Sequence, residues 1–196
     1  DRGDESVSDL MRKADVALYR AKGTGKGRYV VFDPVVDELS VEHLRLDAEL
    51  RSAVANGQLR IHYQPEYDLR NGRMVGMEAL LRWEHPHRGI LAPAEFIALA
   101  EETGEILRIG AWVVENACRE VMELTRRDRA AETLVLAVNL SASEFREGRL
   151  AREIAGVLER TGMPARRLKL ELTESVVMED IQATLHTFEQ LRRVGV

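Results

Sequence analysis

The sequence predicts an α/β fold in which helices cover a mostly parallel β-sheet. Residues 134–140 form a nearly continuous apolar run, which is typical of a strand that is buried on both faces. Residues 105–127 carry apolar side chains at helical spacing just before that run. From residue 75 onward, strand and helix patterns alternate in the order βαβαβα. This alternation predicts a parallel sheet that is either doubly wound or closed as a (β/α)8 barrel.

The composition is that of an ordinary globular chain. Its 196 residues are 45% hydrophobic and 31% charged, enough for at least one hydrophobic core. The formal net charge is −5 and the basic residues are interspersed with acids, so there is no basic footprint for duplex DNA or RNA. No run reaches the roughly 20 apolar residues of a membrane helix. The one cysteine, Cys118, fits a reducing compartment and is predicted to be a small core residue on a helix.

The N-terminal part predicts two helices and a short strand. Residues 6–9 resemble a capping box, and small apolar residues then recur at helical spacing up to Gly23. Residues 29–32 predict a short strand. A second helix is predicted to begin at Ser40 and to end at residues 56–57, where Asn and Gly stop it. We interpret this second helix as a linker between modules.

A strand hairpin follows the linker. Apolar and polar residues alternate from Leu59 to Gln64, the period of a strand, and Pro65 is expected to end it. Asn71-Gly72 is the usual sequence of a hairpin turn. Residues 75–83 therefore predict the second strand of the hairpin.

The remaining elements alternate between helices and strands. Residues 93–103 predict a short helix with proline in its first turn. In the long helix at 105–127, Glu115 and Arg119 are spaced for an i,i+4 ion pair. Ser141 and Glu144 form a capping box after the apolar strand. The last predicted elements are a helix at 150–160, a strand at 168–172 and a helix at 180–193.

Glu78 is the most informative single residue, because it interrupts an otherwise apolar strand. Burying an unpaired carboxylate is very costly, so a cation is expected beside it. Since side chains alternate across a strand, Glu78, Asn139 and Glu171 each lie on the polar face of their strand. In a barrel these faces point to the centre, so the three side chains would converge near the C-terminal rim. Oxygen ligands of this kind suit Mg²⁺ or Mn²⁺ rather than zinc.

Simpler interpretations of these polar residues stay open on the pattern alone. Glu171 is also compatible with a solvated strand face, and Asn139 with the cap of the next helix. Arg82 shares the face of Glu78 and suits a phosphate oxygen, or a rim salt bridge with a nearby acid. The polar residues near Pro86 are expected to be exposed to solvent rather than to bind zinc. They are His62, Glu84, His85 and His87.

Several motifs carry a resemblance to a known family. They are Tyr63-Gln-Pro65, Glu78-Ala-Leu80 with Leu81-Arg-Trp83, Pro93-Ala-Glu-Phe-Ile97, Val138-Asn-Leu-Ser141 and Glu171-Leu-Thr-Glu174. In this order they resemble the EAL family of cyclic-di-GMP phosphodiesterases, whose modified barrel has an antiparallel first strand. The resemblance implies a partial (β/α)8 TIM-type barrel. Ala98, where the family often has proline, is a small departure.

The resemblance also implies roles for individual residues. Glu78, Asn139 and Glu171 would bind Mg²⁺ or Mn²⁺, and Glu78 would thereby act in catalysis together with Glu174, which supports a catalytic loop. Substrate contacts are implied for Gln64, Leu80, Arg82 and Pro93. The implied activity is metal-dependent hydrolysis of cyclic-di-GMP to the linear dinucleotide in bacterial signalling. The alternative is a catalytically silent EAL domain that acts as a cyclic-di-GMP receptor or protein-interaction module.

The N-terminal segment resembles the end of a GGDEF, or diguanylate cyclase, domain. Residues 14–22 and 25–28 carry this resemblance, with Lys22 and Lys26 matching phosphate contacts. The same two lysines are equally compatible with complementing a helix C-terminus. The predicted domains are a GGDEF remnant at 1–34, a linker helix at 35–57 and the N-terminal half of an EAL domain at 58–196.

We interpret the chain as an excised fragment, because it lacks an initiator Met and stops just after a helix. A complete barrel takes about 250 residues, so we expect the fragment alone to be inactive and to have an unpaired strand edge. We expect a cytoplasmic location, with any membrane anchor in regions outside this segment. The expected partner is cyclic-di-GMP, and a homodimer is among the oligomeric states left open.

Overall fold

The computed structural model of the chain describes residues 6, 7, 10, 11, 13, 14, 17, 18, 21, 29–32, 34–146, 148–172 and 181–196. The chain divides into two compact units, Asp1–Ser52 and Ala53–Val196. Within the described residues, no helix has the length and apolar character needed to cross a bilayer. The predicted domain boundaries differ from this division and stay predictions.

The described residues of the first unit are mainly helical. Its described residues between 7 and 21 are helical, as predicted, and helix α1 spans Pro34–Ala53. The predicted start of that helix at Ser40 is wrong, since proline is favoured in a first helical turn and the helix begins there. The predicted strand at 29–32 is also wrong. Tyr29 and Val31 are 91% and 70% exposed, and residues 29–32 are not in a strand.

The described residues of the second unit form five strands and five further helices. The strands are β1 (Leu59–Asp68), β2 (Arg73–His85), β3 (Gly89–Leu91), β4 (Val135–Asn139) and β5 (Leu168–Glu171). The helices are α2 (Ile97–Thr103), α3 (Ile106–Arg127), α4 (Ala142–Arg146), α5 (Leu150–Thr161) and α6 (Ile181–Val194). Short 3₁₀ turns lie at Pro93–Glu95, Arg129–Thr133 and Ala165–Arg167.

The strands form one mixed sheet. Its order is β1-β2-β4-β5, and β3 pairs with β2 outside this path. β1 is antiparallel to β2, whereas β2, β4 and β5 are parallel. The predicted α/β class and the antiparallel first strand are therefore confirmed.

The hairpin between β1 and β2 contains one confirmed and one wrong prediction. Asn71 and Gly72 form the turn, where both backbone N–H groups donate to the Asp68 carbonyl and Gly72 has φ 69°. Pro65 does not end β1, which continues to Asp68. A proline is tolerated in β1 because it is the terminal strand of the described path, where an outward-facing position needs no ladder N–H.

The core lies between the sheet and α3, which packs against β2 and β4. On β2 the odd-numbered side chains Met77, Ala79, Leu81 and Trp83 are buried. The apolar stripe of α3 that faces the core consists of Ile109, Val113, Ala117 and Val121. Even-numbered side chains of β2 therefore point to the opposite face of the sheet, which we call the polar face.

Candidate active site

The polar face carries side chains from four strands in register. Gln64 on β1 is the Cα partner of Glu78 on β2, and Glu78 in turn pairs with Ala137 on β4. Ala137 pairs with Lys169 on β5, and two residues further along, Asn139 pairs with Glu171. Paired residues of neighbouring strands share a face, so the parity prediction for Glu78, Asn139 and Glu171 agrees with the observed pairing.

Glu78 and Asn139 are in direct contact. Asn139 is the last residue of β4, and its Nδ2 donates to Glu78 Oε1 across 2.6 Å. Glu78 is half-buried and Asn139 is exposed. A hydrogen bond to a carboxylate is stronger than one between neutral groups, so this contact orients both side chains. The alternative in which Asn139 only caps the next helix is not seen, because the side chain of Ser141 caps it.

Glu171 lies beside this pair but bonds to a different partner. Lys169 Nζ is 2.7 Å from Glu171 Oε1 and 3.4 Å from Glu66 Oε1. The hydrogen bond to Glu171 raises the pKa of Lys169, and the Glu66 charge adds to the effect. Sequence reasoning assigned no role to Lys169 or to Glu66. The shared parity of 169 and 171 was the available signal.

The side-chain oxygens of Glu78, Asn139 and Glu171 are suitable ligands for a hard divalent cation. Carboxylate and amide oxygens are the ligands that Mg²⁺ and Mn²⁺ prefer. Asn139 uses its Nδ2 for Glu78, and none of the described residues donates to its Oδ1, so that oxygen is available to a cation. Within the described part of the chain, no three His, Cys, Asp or Glu side chains are grouped to hold a metal ion. The predicted ligands are two carboxylates and one amide, and their metal role stays a prediction.

Arg82 offers an available guanidinium on the same face. Its Nη1 donates to the Leu81 carbonyl at 2.7 Å, and no acidic side chain among the described residues pairs with it. Its Cα partner on β1, Arg60, is instead bound to Glu84 at 2.6 Å. The described residues thus contain no rim salt bridge to Arg82, which remains able to bind an anion.

A cavity of about 620 Å³ lies beside the middle of β2 and the end of β4. Leu80 and Pro93, both predicted substrate contacts, line it together with Asn139. Further lining comes mainly from apolar side chains of α2, α3 and the segment after β4: Ile97, Ile106, Ile109, Val113 and Leu140. Its size and mostly apolar walls are those of a small-molecule site.

Glu144 is a buried carboxylate at the wall of this cavity. The predicted capping box is present, since Ser141 N donates to Glu144 Oε2 at 2.8 Å and Glu144 N donates to Ser141 Oγ at 3.3 Å. Burial raises the pKa of Glu144 in spite of these bonds. The carboxylate rests on Gly110 of α3, where a Cβ would overlap Glu144 Oε1. A capping motif reveals the local bonds but not the burial, which is why sequence reasoning missed it.

The histidines near Pro86 are divided between core and surface. His85 is only 3% exposed, so its predicted exposure is wrong, whereas His62 and His87 are exposed as expected. His85 has the parity of Trp83 and packs on its ring at 4.8 Å, on the helix-covered face. Its Nδ1 accepts from the His87 backbone at 3.1 Å. These contacts indicate a structural role.

The family model for the EAL domain matches residues 47–196 of this chain. The chain belongs to the EAL domain family. All the motifs that carried the resemblance lie within the match, and the EAL prediction is confirmed. The GGDEF resemblance of the N-terminal segment stays a prediction, as do the roles of Glu174, Lys22 and Lys26, which lie outside the described residues.

Curated relatives and solved structures agree with the EAL identification. MucR of Pseudomonas aeruginosa, a bifunctional diguanylate cyclase/cyclic di-GMP phosphodiesterase, is 43% identical over 188 residues, covering 96% of this chain and 27% of MucR. The cyclic di-GMP phosphodiesterase PdeR of Escherichia coli is 36% identical over 195 residues, covering 100% of this chain and 29% of PdeR. The solved PaMucR phosphodiesterase in complex with c-di-GMP has a TM-score of 0.74 at 43% identity, over 78% of this chain and 61% of that chain.

This EAL domain chain spans about a quarter of the length of the curated relatives it matches. It also covers less than two thirds of the solved MucR phosphodiesterase chain. Family and fold are therefore shown for the chain, whereas its activity and ligands follow as proposals.

Proposed function

We propose that this EAL domain hydrolyses cyclic-di-GMP to the linear dinucleotide in a metal-dependent reaction of bacterial signalling. The observation that carries the proposal is the 2.6 Å contact between Asn139 and Glu78, which joins two predicted ligands from neighbouring parallel strands. The names of MucR and PdeR as cyclic di-GMP phosphodiesterases support the substrate.

The proposed ligands of Mg²⁺ or Mn²⁺ are Glu78, Asn139 and Glu171. When bound, the cation supplies positive charge that stabilises the negative charge developing at the phosphodiester and eases ionisation of a water nucleophile. Asn139 orients the Glu78 carboxylate through the observed hydrogen bond. The proposed role of Glu174 is to support a catalytic loop.

The proposed substrate contacts divide by chemistry. Arg82 would bind a non-bridging phosphate oxygen, since its guanidinium has no acidic partner among the described residues. Leu80 and Pro93 would place a guanine base against the apolar wall of the cavity. Gln64, opposite Glu78, would contact a polar edge of the ligand. In the reaction, the water oxygen bonds to phosphorus and gives up a proton, one P–O3′ bond breaks, and the leaving oxygen takes up a proton.

We also propose that residues 1–34 are the end of a GGDEF domain. The match to MucR extends over 96% of the chain, further toward the N-terminus than the EAL match at 47–196, and MucR is named as a diguanylate cyclase as well. The proposed location is the cytoplasm, which fits the single unpaired thiol of Cys118.

The proposed function is tested with Glu78→Gln in a complete EAL domain that contains residues 59–196. We expect a loss of kcat of more than about 100-fold, because a ligand that supplies transition-state charge stabilisation is removed. Chromatographic separation of cyclic-di-GMP and the linear dinucleotide measures turnover, and EDTA should abolish it in the unmutated domain. Glu123→Gln, at an exposed site on α3, is the matched control and should retain full turnover.

Calorimetry of cyclic-di-GMP binding distinguishes the alternative. Binding without turnover in the unmutated domain would refute the phosphodiesterase proposal and leave the receptor function. Unchanged turnover in Glu78→Gln would refute the assignment of Glu78.

A further inference from the structure

Lys169 lies between two carboxylates that belong to different strands. Its contact with Glu171, at 2.7 Å, is local, because the two residues share β5 and one face of it. Its contact with Glu66, at 3.4 Å, is long-range, because Glu66 lies on β1. β2 and β4 separate β1 from β5 in the sheet. The side chain of Lys169 therefore connects the two ends of the four-strand path across the polar face.

Small residues on the intervening strands permit this bridge. Gly76 on β2 is the Cα partner of Glu66, and Ala137 on β4 is the Cα partner of Lys169. A Cβ at Gly76 would lie 2.9 Å from Glu66 Oε2 and 2.7 Å from the Val135 carbonyl oxygen. Glycine at 76 thus leaves the space that the Glu66 carboxylate occupies over β2.

Within the part of the chain that the structure describes, Lys169 is also the one cation in contact with Glu66 and Glu171. Glu66 and Glu171 both bind it, whereas Glu78 is bonded to Asn139. A divalent cation at the proposed site would compete with the ammonium for the Glu171 carboxylate, because both positive charges require the same oxygens. The displaced ammonium would then need another anion nearby.

We propose that Lys169 is a positioning residue of the metal site, which holds the Glu171 carboxylate until a divalent cation binds it and then moves onto Glu66. The proposal rests on the proposed function, in which Glu171 is a metal ligand. Glu66 is already within 3.4 Å of the ammonium, so the transfer needs only a change of side-chain torsion. No covalent bond changes in this step.

The choice of lysine at this position agrees with the proposal. Lys169 is the only lysine in residues 27–196, and arginine is used at the other Lys or Arg positions of this range. A compact ammonium on a flexible stem can pass between two carboxylates, whereas a guanidinium binds one carboxylate through two parallel hydrogen bonds. We therefore expect arginine at 169 to retain Glu171 more firmly than lysine does.

Mn²⁺ affinity tests the proposal without reference to turnover. The measurement is the electron paramagnetic resonance signal of free Mn²⁺, in a complete EAL domain that contains residues 59–196. Lys169→Met removes the competing cation and should tighten Mn²⁺ binding about three- to ten-fold. Lys169→Arg and Glu66→Gln should each weaken it by a similar factor, the second because the displaced ammonium loses its acceptor. In the Lys169→Met background, Glu66→Gln should change affinity by less than about two-fold.

A second measurement follows the ammonium itself. Reductive methylation with ¹³C-formaldehyde labels lysines and keeps their charge, and the Lys169 signal is identified by its absence in Lys169→Arg. We expect this signal to shift saturably during a Mg²⁺ titration and to shift less in Glu66→Gln. A purely structural role for Lys169 would leave the signal unchanged by Mg²⁺.

The outcomes separate this proposal from the metal assignment. If Lys169→Met binds Mn²⁺ no more tightly than the unmutated domain, while Glu78→Gln loses the site, the Lys169 proposal is wrong and the assignment of Glu78 survives. If Glu78→Gln binds Mn²⁺ as tightly as the unmutated domain, the metal assignment fails and this proposal fails with it. Lys169→Gln replaces Lys169→Met as the neutral variant if the latter is not folded by circular dichroism.

Discussion

Asn139 donates its side-chain amide to Glu78 Oε1 across 2.6 Å, and so joins the end of β4 to the middle of β2. The contact places the Asn139 amide and the Glu78 carboxylate side by side on the polar face. The third predicted ligand, the carboxylate of Glu171, belongs to the register partner of Asn139. The short distance between the two side chains makes their contact sensitive to charge, because a carboxylate at position 139 would lie directly beside the Glu78 carboxylate.

We expect Asn139→Asp to lower thermal stability in EDTA by about 1 kcal/mol, since a hydrogen bond becomes a repulsion between like charges. Mn²⁺ should restore the stability, because a bound cation stabilises the folded state that holds it. Thermal melts with EDTA and with Mn²⁺ measure both effects. Asn116→Asp, on α3, is the control and should show no recovery. Absence of Mn²⁺-dependent recovery in Asn139→Asp would contradict the proposed site.

Gly110→Ala should destabilise the domain by at least about 2 kcal/mol, because the new methyl would overlap the buried Glu144 carboxylate. Urea unfolding measures the change. Gly156→Ala is the matched helical control, since its Cβ would meet only the flexible end of Arg160, and it should stabilise by about 0.5–1 kcal/mol. Adding Glu144→Ala to Gly110→Ala should recover part of the loss. Equal effects of the two alanines would show that Glu144 does not require glycine at 110.

Glu144→Gln should stabilise the domain more at pH 8 than at pH 5. Burial raises the pKa of Glu144 above its ordinary value of 4.5, so the folded state holds the proton more tightly than the unfolded chain. Stability from this group is therefore present at low pH and is lost as pH rises from 4.5 through the raised pKa. Glutamine keeps an acceptor for the Ser141 N–H and does not ionise. Urea unfolding at both pH values measures the difference, with Glu123→Gln as the control; a pH-independent effect of Glu144→Gln would be contrary to this expectation.

Arg167→Met should cost about 2–4 kcal/mol of the free energy of unfolding, because three oxygen acceptors lose their donor in the core. The buried guanidinium donates to the carbonyls of Leu134 and Ala131 at 2.9 and 2.6 Å and to Thr125 Oγ1 at 3.2 Å. The neighbouring Arg166 is exposed, so Arg166→Met is the control and should change stability little. Similar losses in both variants, measured by urea unfolding, would argue against this structural role.

Local sequence patterns were sufficient to predict most helices and strands of the second unit. Alternation along β2 correctly separated Met77 and Trp83 from Glu78, since a strand has a fixed side-chain period of two. The Ser141–Glu144 capping box and the Asn71-Gly72 turn depend on contacts within a few residues, and both are present. The wrong predictions concern segments whose structure depends on contacts with other parts of the chain. Residues 29–32 have strand-forming side chains but are not in a strand, and Pro65 stays in β1 because that strand ends the described sheet path.

The sequence by itself determined the α/β class, the EAL family and the face on which each candidate ligand lies, because these follow from periodicity and from motifs within single elements. The tertiary structure decided which of those side chains meet. It placed Asn139 on Glu78, and it brought Lys169 to Glu66 across two strands, which no spacing along the chain reveals. The physical reason is that strand order and the small side chains of Gly76 and Ala137 set distances between residues far apart in sequence.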